Sequence, residues 1–173
     1  MKTKQLILVI LALSGLDQAV KLIVHIRFMD AFTEIIPGFL TFEPVFNDKH
    51  SYINALLYSH FNLNLGKFFH VILFLAIAVI MIYLYRYLLH RINRNKKLLA
   101  VAASFELAGL LCALTDNIIW RKGTLDFIRL KDYFTFDLKD VYINLFIGLF
   151  AIYVLLNIRD IRKIKFTDVI RKT

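Results

Sequence analysis

The sequence predicts an all-α membrane protein of four transmembrane helices with a small extracytoplasmic sheet and a surface helix. Three observations lead there. Hydrophobic residues make up 59% of the 173, against about 45–50% in ordinary globular domains. The mean hydropathy is +0.63, and the apolar residues fall in four long runs. Lysines and arginines cluster at the ends of those runs, at Lys2 and Lys4, from Arg86 to Lys97 and from Arg159 to Lys172. A soluble domain this small cannot bury so much apolar surface. The net charge of +9 reads as a positive-inside bias, which argues against nucleic-acid binding.

A span needs about 20 mostly apolar residues. The first, 5–26, opens like a signal peptide behind Lys2 and Lys4 but stays apolar past Ser14, so it reads as an uncleaved helix. The second, 68–89, has no charge from Val71 to Leu84. The third, 98–119, is interrupted by Glu106 and Asp116, and the fourth is 141–158. Residues 1–173 are read as a single integral membrane domain. Placing both termini and the 90–97 loop in the cytoplasm, with Arg86 counted in that loop, collects 13 lysines and arginines there against eight outside, which favours N-in, C-in. In the first outer segment, Phe39 to Glu43 alternates like a strand behind the turn pair Pro37-Gly38, and Ile53 to Leu65 has near-helical apolar spacing.

Charge inside a span costs about 2.5–3.5 kcal/mol on insertion scales, so each such residue needs a reason. Asp17 and Lys21 lie four apart with the acid first, the favourable order for an ion pair. Glu106 either pairs with Lys21 or occupies a polar crevice. Asp116, Asp126, Asp137 and Asp140 gather at the outer ends of spans three and four. Two of them could converge and share a proton, one acting as base toward water and the other as acid. They could equally be solvated acids paired with Arg121, Lys122, Arg129, Lys131 and Lys139. One cysteine, Cys112, excludes an intramolecular disulfide and a multi-thiolate metal site. The five histidines, His25, His50, His60, His70 and His90, lack metal-ligand spacing, so neither metal nor cofactor is expected.

These residues resemble lipoprotein signal peptidase, the bacterial type II signal peptidase, a four-helix intramembrane aspartyl protease. Asp17-Gln-Ala-Val-Lys21 matches the family's Asp-x-x-x-Lys, and Asn47 stands where the family has an Asn at the end of its outer β-cradle. Gly109 and Asp116 match its Gly-Asn-x-x-Asp stretch. Thr124-Leu125-Asp126-Phe127 is similar to Val-Val-Asp-Phe, and Phe136-Asp137-Leu138-Lys139-Asp140 to Phe-Asn-x-Ala-Asp. The resemblance implies that Asp126 and Asp140 are the catalytic dyad. It gives Asp17, Lys21, Asn47, Gly109, Asp116 and Asp137 supporting or substrate-binding places.

The chain departs from the pattern in five places. Ala113 replaces an Asn, Asn117 an Arg, Asp137 an Asn and Lys139 an Ala, and the glycine of the post-cradle signature is absent from Asn47–Tyr52. The resemblance implies an endopeptidase of the bacterial inner membrane, working as a monomer in contact with membrane lipid. Its substrate would be a lipid-modified prolipoprotein, cut just before the diacylglyceryl cysteine. A non-catalytic paralogue that binds lipoproteins or signal helices is the other reading.

Overall fold

The computed structural model describes residues 2–49, 52–131 and 133–164. His50, Ser51 and the basic tail residues Lys165, Arg171 and Lys172 lie outside the described residues. Among the described residues, four helices are long and apolar enough to cross a membrane: α1 (Thr3–Arg27), α3 (Lys67–Arg91), α4 (Lys96–Ile119) and α5 (Leu138–Leu156). Between them come β1 (Thr33–Ile36), β2 (Leu40–Asn47), the surface helix α2 (Tyr52–Phe61), β3 (Thr124–Leu130) and β4 (Phe134–Phe136). A short α6 (Ile158–Ile161) follows α5.

Helix α4 is the axis of the bundle, packed by α1, α3 and α5. Its sequence explains why. Ala100, Ala102, Ala103, Ala108, Gly109 and Ala113 are small and buried, so neighbouring backbones can come close without a hydrophobic drive in lipid. At Gly109 an added Cβ would lie 2.9 Å from Ile143 Cγ1 and 3.4 Å from the Lys139 carbonyl, so the missing side chain leaves room for α5 against α4 at this point. The outward faces of the other helices carry exposed Leu8, Leu11, Leu22, Ile23, Ile72, Val79, Ile80, Ile147 and Leu155, as a lipid-facing surface requires.

Hydropathy misplaces the element ends. The last span begins at Leu138, three residues before the apolar run, because Asp137 and Asp140 cap it reciprocally. It stops at Leu156, where Asn157 is the C-cap. Helix α2 ends at Phe61, short of the expected Leu65, because Asn62 adopts a left-handed conformation at φ 53°.

The sheet is larger than the sequence reading anticipates. Its four antiparallel strands run in the order β1-β2-β3-β4 and join both outer segments. Strand β3 is buried along its first four residues and so shows no period-two alternation to read. Between Phe42 and Val45 the β2–β3 register shifts at Pro44, which has no N–H for a ladder bond. Val24, Trp120, Leu125 and Phe127 form the core that seats the sheet on the end of α1.

Candidate active site

The first helix brings Asp17 and Lys21 to one face, and their side chains pair at 2.8 Å with no exposure. Neutralising each other is only part of their arrangement. Lys21 Nζ also donates to Asp116 Oδ1 and Oδ2 at 2.8 and 2.7 Å, from α4. It lies 2.7 Å from Asp137 Oδ2, at the start of α5. One ammonium therefore ties three carboxylates from three helices. Gln18 extends the network, donating to Asp116 Oδ1 at 2.8 Å and Asp17 Oδ2 at 3.0 Å while accepting from Trp120 Nε1 at 3.2 Å. The sequence reading misses Gln18; an amide beside an acid within an apolar helix was the available signal.

Asp126 comes from β3 and faces the same end of the bundle. Its Oδ2 accepts from Asn47 Nδ2 at 3.1 Å. Asn47 is set in place by the β2–β3 pairing with Thr124. Gly123, at φ 108°, lets the two chains meet, because a Cβ there would overlap the Asn47 carbonyl. Asp126 is 2% exposed. Burial pushes its carboxyl up to about 7; Lys139 pulls against that, Asp137 and Asp140 add to it, and the Asn47 hydrogen bond opposes it.

Asp137 is the N-cap of α5. It accepts from the Asp140 amide at 3.2 Å, and Asp140 Oδ2 accepts from the Asp137 amide at 3.2 Å. Asp140 keeps 37% of its side chain open. The solvated reading of these acids fails for Asp137, which is 1% exposed and pairs with Lys21 and Lys139 in place of Arg129 or Lys131. Arg129 instead pairs with Glu43 at 3.0 Å. Burial would raise the Asp137 carboxyl, but Lys139 and Lys21 outweigh it and hold the group below its usual range.

Lys139 is the residue that the resemblance does not anticipate. On an ideal helix it should point away from Asp137 and Asp140, yet its flexible stem curls back. Its Nζ lies 2.7 Å from Asp137 Oδ2, 3.6 Å from Asp126 Oδ1, 3.7 Å from Asp140 Oδ2 and 3.9 Å from Asp116 Oδ2. One oxygen each of Asp126, Asp137 and Asp140 falls within 4.8 Å of the others, spacing that would suit a metal ion. The Lys139 ammonium already lies among them and supplies the positive charge.

Two further residues behave differently from expectation. Glu106 joins neither Lys21 nor a polar crevice; it lines a small cavity with Leu84, Leu88, Leu99 and Phe146, and its Oε2 has no hydrogen-bond partner among the described residues. Asn117 turns its amide back onto the Ala113 carbonyl at 2.8 Å, so it adds nothing to the carboxylate cluster where the family has an arginine.

A family model described as signal peptidase (SPase) II matches residues 9–156, which include the described acids and lysines of this cluster. The chain belongs to the signal peptidase II family. The lipoprotein signal peptidases of Listeria monocytogenes serotype 4a and Listeria innocua serovar 6a are each 26% identical to it over 163 residues, covering 91% of this chain and 97% of theirs. Two solved structures, both described as a bacterial membrane enzyme, share the fold. Their TM-scores are 0.66 and 0.65 at 21% and 22% identity, covering 90% and 88% of this chain and 90% and 94% of their own. This signal peptidase II member is thus a multi-helix bacterial membrane protein with its carboxylates gathered at the sheet-bearing end.

Proposed function

We propose that the chain is an intramembrane aspartyl endopeptidase that removes the signal peptide from diacylglyceryl-modified prolipoproteins, with Asp126 and Asp140 as its catalytic pair. The convergence of these two acids from different elements, one closed off and one open, carries the reading. Asp126, in a dry setting, holds a proton near neutral pH and suits the acid role. Asp140, reaching solvent, suits the base. Asp140 takes a proton from a water as the water oxygen attacks the scissile carbonyl. Asp126 donates its proton to the carbonyl oxygen, giving a tetrahedral diol. As the C–N bond of the diol breaks, Asp140 gives its proton to the departing amine and a diol hydroxyl returns one to Asp126, so the pair regains its starting state.

Asn47 orients Asp126, and the α5 cap orients Asp140. Lys21, with Asp17, Asp116 and Asp137, ties α1 and α4 to the start of α5, which carries Asp140, while Gly109 allows α5 its close seat on α4. The chain acts as a single membrane domain and a monomer. Both termini lie in the cytoplasm of a bacterial inner membrane, so the sheet and the acids face outward. A substrate held by two acyl chains and an apolar signal helix is met at that interface, in contact with membrane lipid. Exposed Leu56, Tyr58 and Phe61 give α2 an apolar surface suited to the same layer.

Incubation of the purified protein with a diacylated prolipoprotein in detergent tests the proposal. Release of the free signal peptide, and its loss in Asp126→Asn and Asp140→Asn, is the expected result. A folded wild type with no turnover on any lipidated substrate would favour the non-catalytic, lipoprotein-binding reading.

A further inference from the structure

Lys139 is 7% exposed, in the first turn of a spanning helix. That is a poor place for a cation: the helix N-terminus is itself positive, and burying an ammonium is costly. Helix formation does not call for it. Nor does capping call for the charge on Asp137, because Asn caps a helix about as well as Asp. Yet the two groups form a 2.7 Å ion pair wedged against Asp126 and Asp140. Both positions depart from the motif that the chain otherwise resembles, and they do so with opposite signs.

We propose that Asp137 and Lys139 are positioning residues that act as a matched pair of opposite charges, setting how tightly the Asp126/Asp140 pair holds its proton and hence the pH range of cleavage. The inference rests on the peptidase reading above. Lys139, at 3.6 and 3.7 Å, favours the ionised form of both acids; Asp137, within 4.8 Å, disfavours it. Because the two charges oppose each other, Asp137 offsets part of the pull of Lys139, and the buried pair can keep one proton near neutral pH despite a lysine beside it.

The other charges around Lys139 are already engaged. From α1, Lys21 binds Asp17 and also lies 2.7 Å from Asp137 Oδ2; from α4, Asp116 is held by Lys21 and Gln18 and lies 3.9 Å from Lys139 Nζ. Strand β2 offers only the neutral amide of Asn47. Tyr142 donates its hydroxyl to the Leu13 carbonyl, and Cys112 is buried in the apolar cluster below. Lys21 is present in every variant and is shared with Asp17 and Asp116, so each single substitution at 137 or 139 still changes the charge beside Asp126 and Asp140 by one.

Four proteins decide the question: wild type, Asp137→Asn, Lys139→Met and the double variant. Each is read by the pH–rate profile on a diacylated prolipoprotein and by infrared titration of carbon-13-labelled aspartate in the purified protein. Removing the negative charge should move both limbs of the profile, and the Asp126 titration, to lower pH; removing the positive charge should move them to higher pH, each by about one to three units. The double variant should return close to wild type. Lys139→Arg, which keeps the charge, should keep the wild-type profile.

Shifts in the same direction for the two single variants, or none in either, would overturn the inference, because a purely structural role has no reason to produce opposite signs. If Lys139→Met does not insert, Lys139→Gln takes its place, and an unmoved Asp137→Asn is by itself sufficient to reject the pairing. A wild type that cleaves nothing counts against the peptidase reading alone; the infrared titrations still show whether the two charges oppose each other at Asp126.

Discussion

Asp137 and Asp140 hold each other through their backbones: each carboxylate accepts the other's amide at 3.2 Å. The reciprocal bond starts α5 and fixes the Asp140 side chain before any substrate arrives. It also makes Asp140→Asn an informative substitution. An asparagine still offers an oxygen to the Asp137 amide, so the cap persists while the ionisable group is lost.

Asp126→Asn and Asp140→Asn should therefore each reduce cleavage at least about a thousand-fold while insertion and helical content are unchanged. Two acids that act as a unit lose their function together, so the double variant should be no slower than the slower single one. Single-turnover assays on the three proteins check this. Near-normal turnover in either single variant would remove that residue from the dyad.

Asp126 also links stability to pH. Its folded-state value near 7 lies above the ordinary carboxylate value of 3.8. The carboxyl's favourable contribution is thus fully present below about 3.8 and is lost as pH rises through about 7. Asp126→Asn cannot ionise, so it should melt higher than wild type at pH 8 and close to it at pH 4. Melting in detergent at both pH values is the measurement. Equal differences at both would mean that Asp126 is not held protonated by burial.

The four spans were legible because hydropathy alone marks them; Asp17, Lys21 and Asp116 drew notice as charges within apolar runs, whereas Asp126 and Asp140 were singled out as a pair only by the resemblance. The sheet was only half legible. Strand β2 follows a turn signal, whereas β3 is buried over four consecutive residues and carries an acid, so neither alternation nor composition reveals it. The place of Lys139 among three carboxylates was not legible, because helical spacing fixes where Cβ points, not where a four-carbon stem can fold its ammonium. Gln18 was missed because its partners lie roughly a hundred residues away, on α4 and at Trp120.

Lys21 is fully buried among Asp17, Asp116 and Asp137. Lys21→Met would leave three carboxylates facing one another in a dry bundle, a loss of about 3–5 kcal/mol for breaking a buried pair. Poor yield and a lowered melting temperature are expected. Asp17→Asn combined with Lys21→Met should recover part of that loss by removing one of the stranded charges. A single variant as stable as wild type would show that the cluster is hydrated and the lysine dispensable.

Gly109 offers a test of how packing reaches the chemistry. It touches neither Asp126 nor Asp140, but its missing side chain is what lets α5 approach α4 beside Lys139 and Ile143. At 2.9 Å from Ile143 Cγ1, a new Cβ must displace that side chain or the helix. Displacing α5 carries Lys139 and Asp140 with it, away from Asp126 on the sheet. Gly109→Ala should thus reduce kcat by about ten- to a hundred-fold, since a misplacement of about 1 Å costs that order, while the bundle stays folded. Trimming the obstacle with Ile143→Ala in the same protein should restore most of the activity. The double-mutant cycle on kcat separates the outcomes: strong coupling places the defect at the α4–α5 contact, whereas additive losses would mean that Gly109 acts by some route other than the seat of α5.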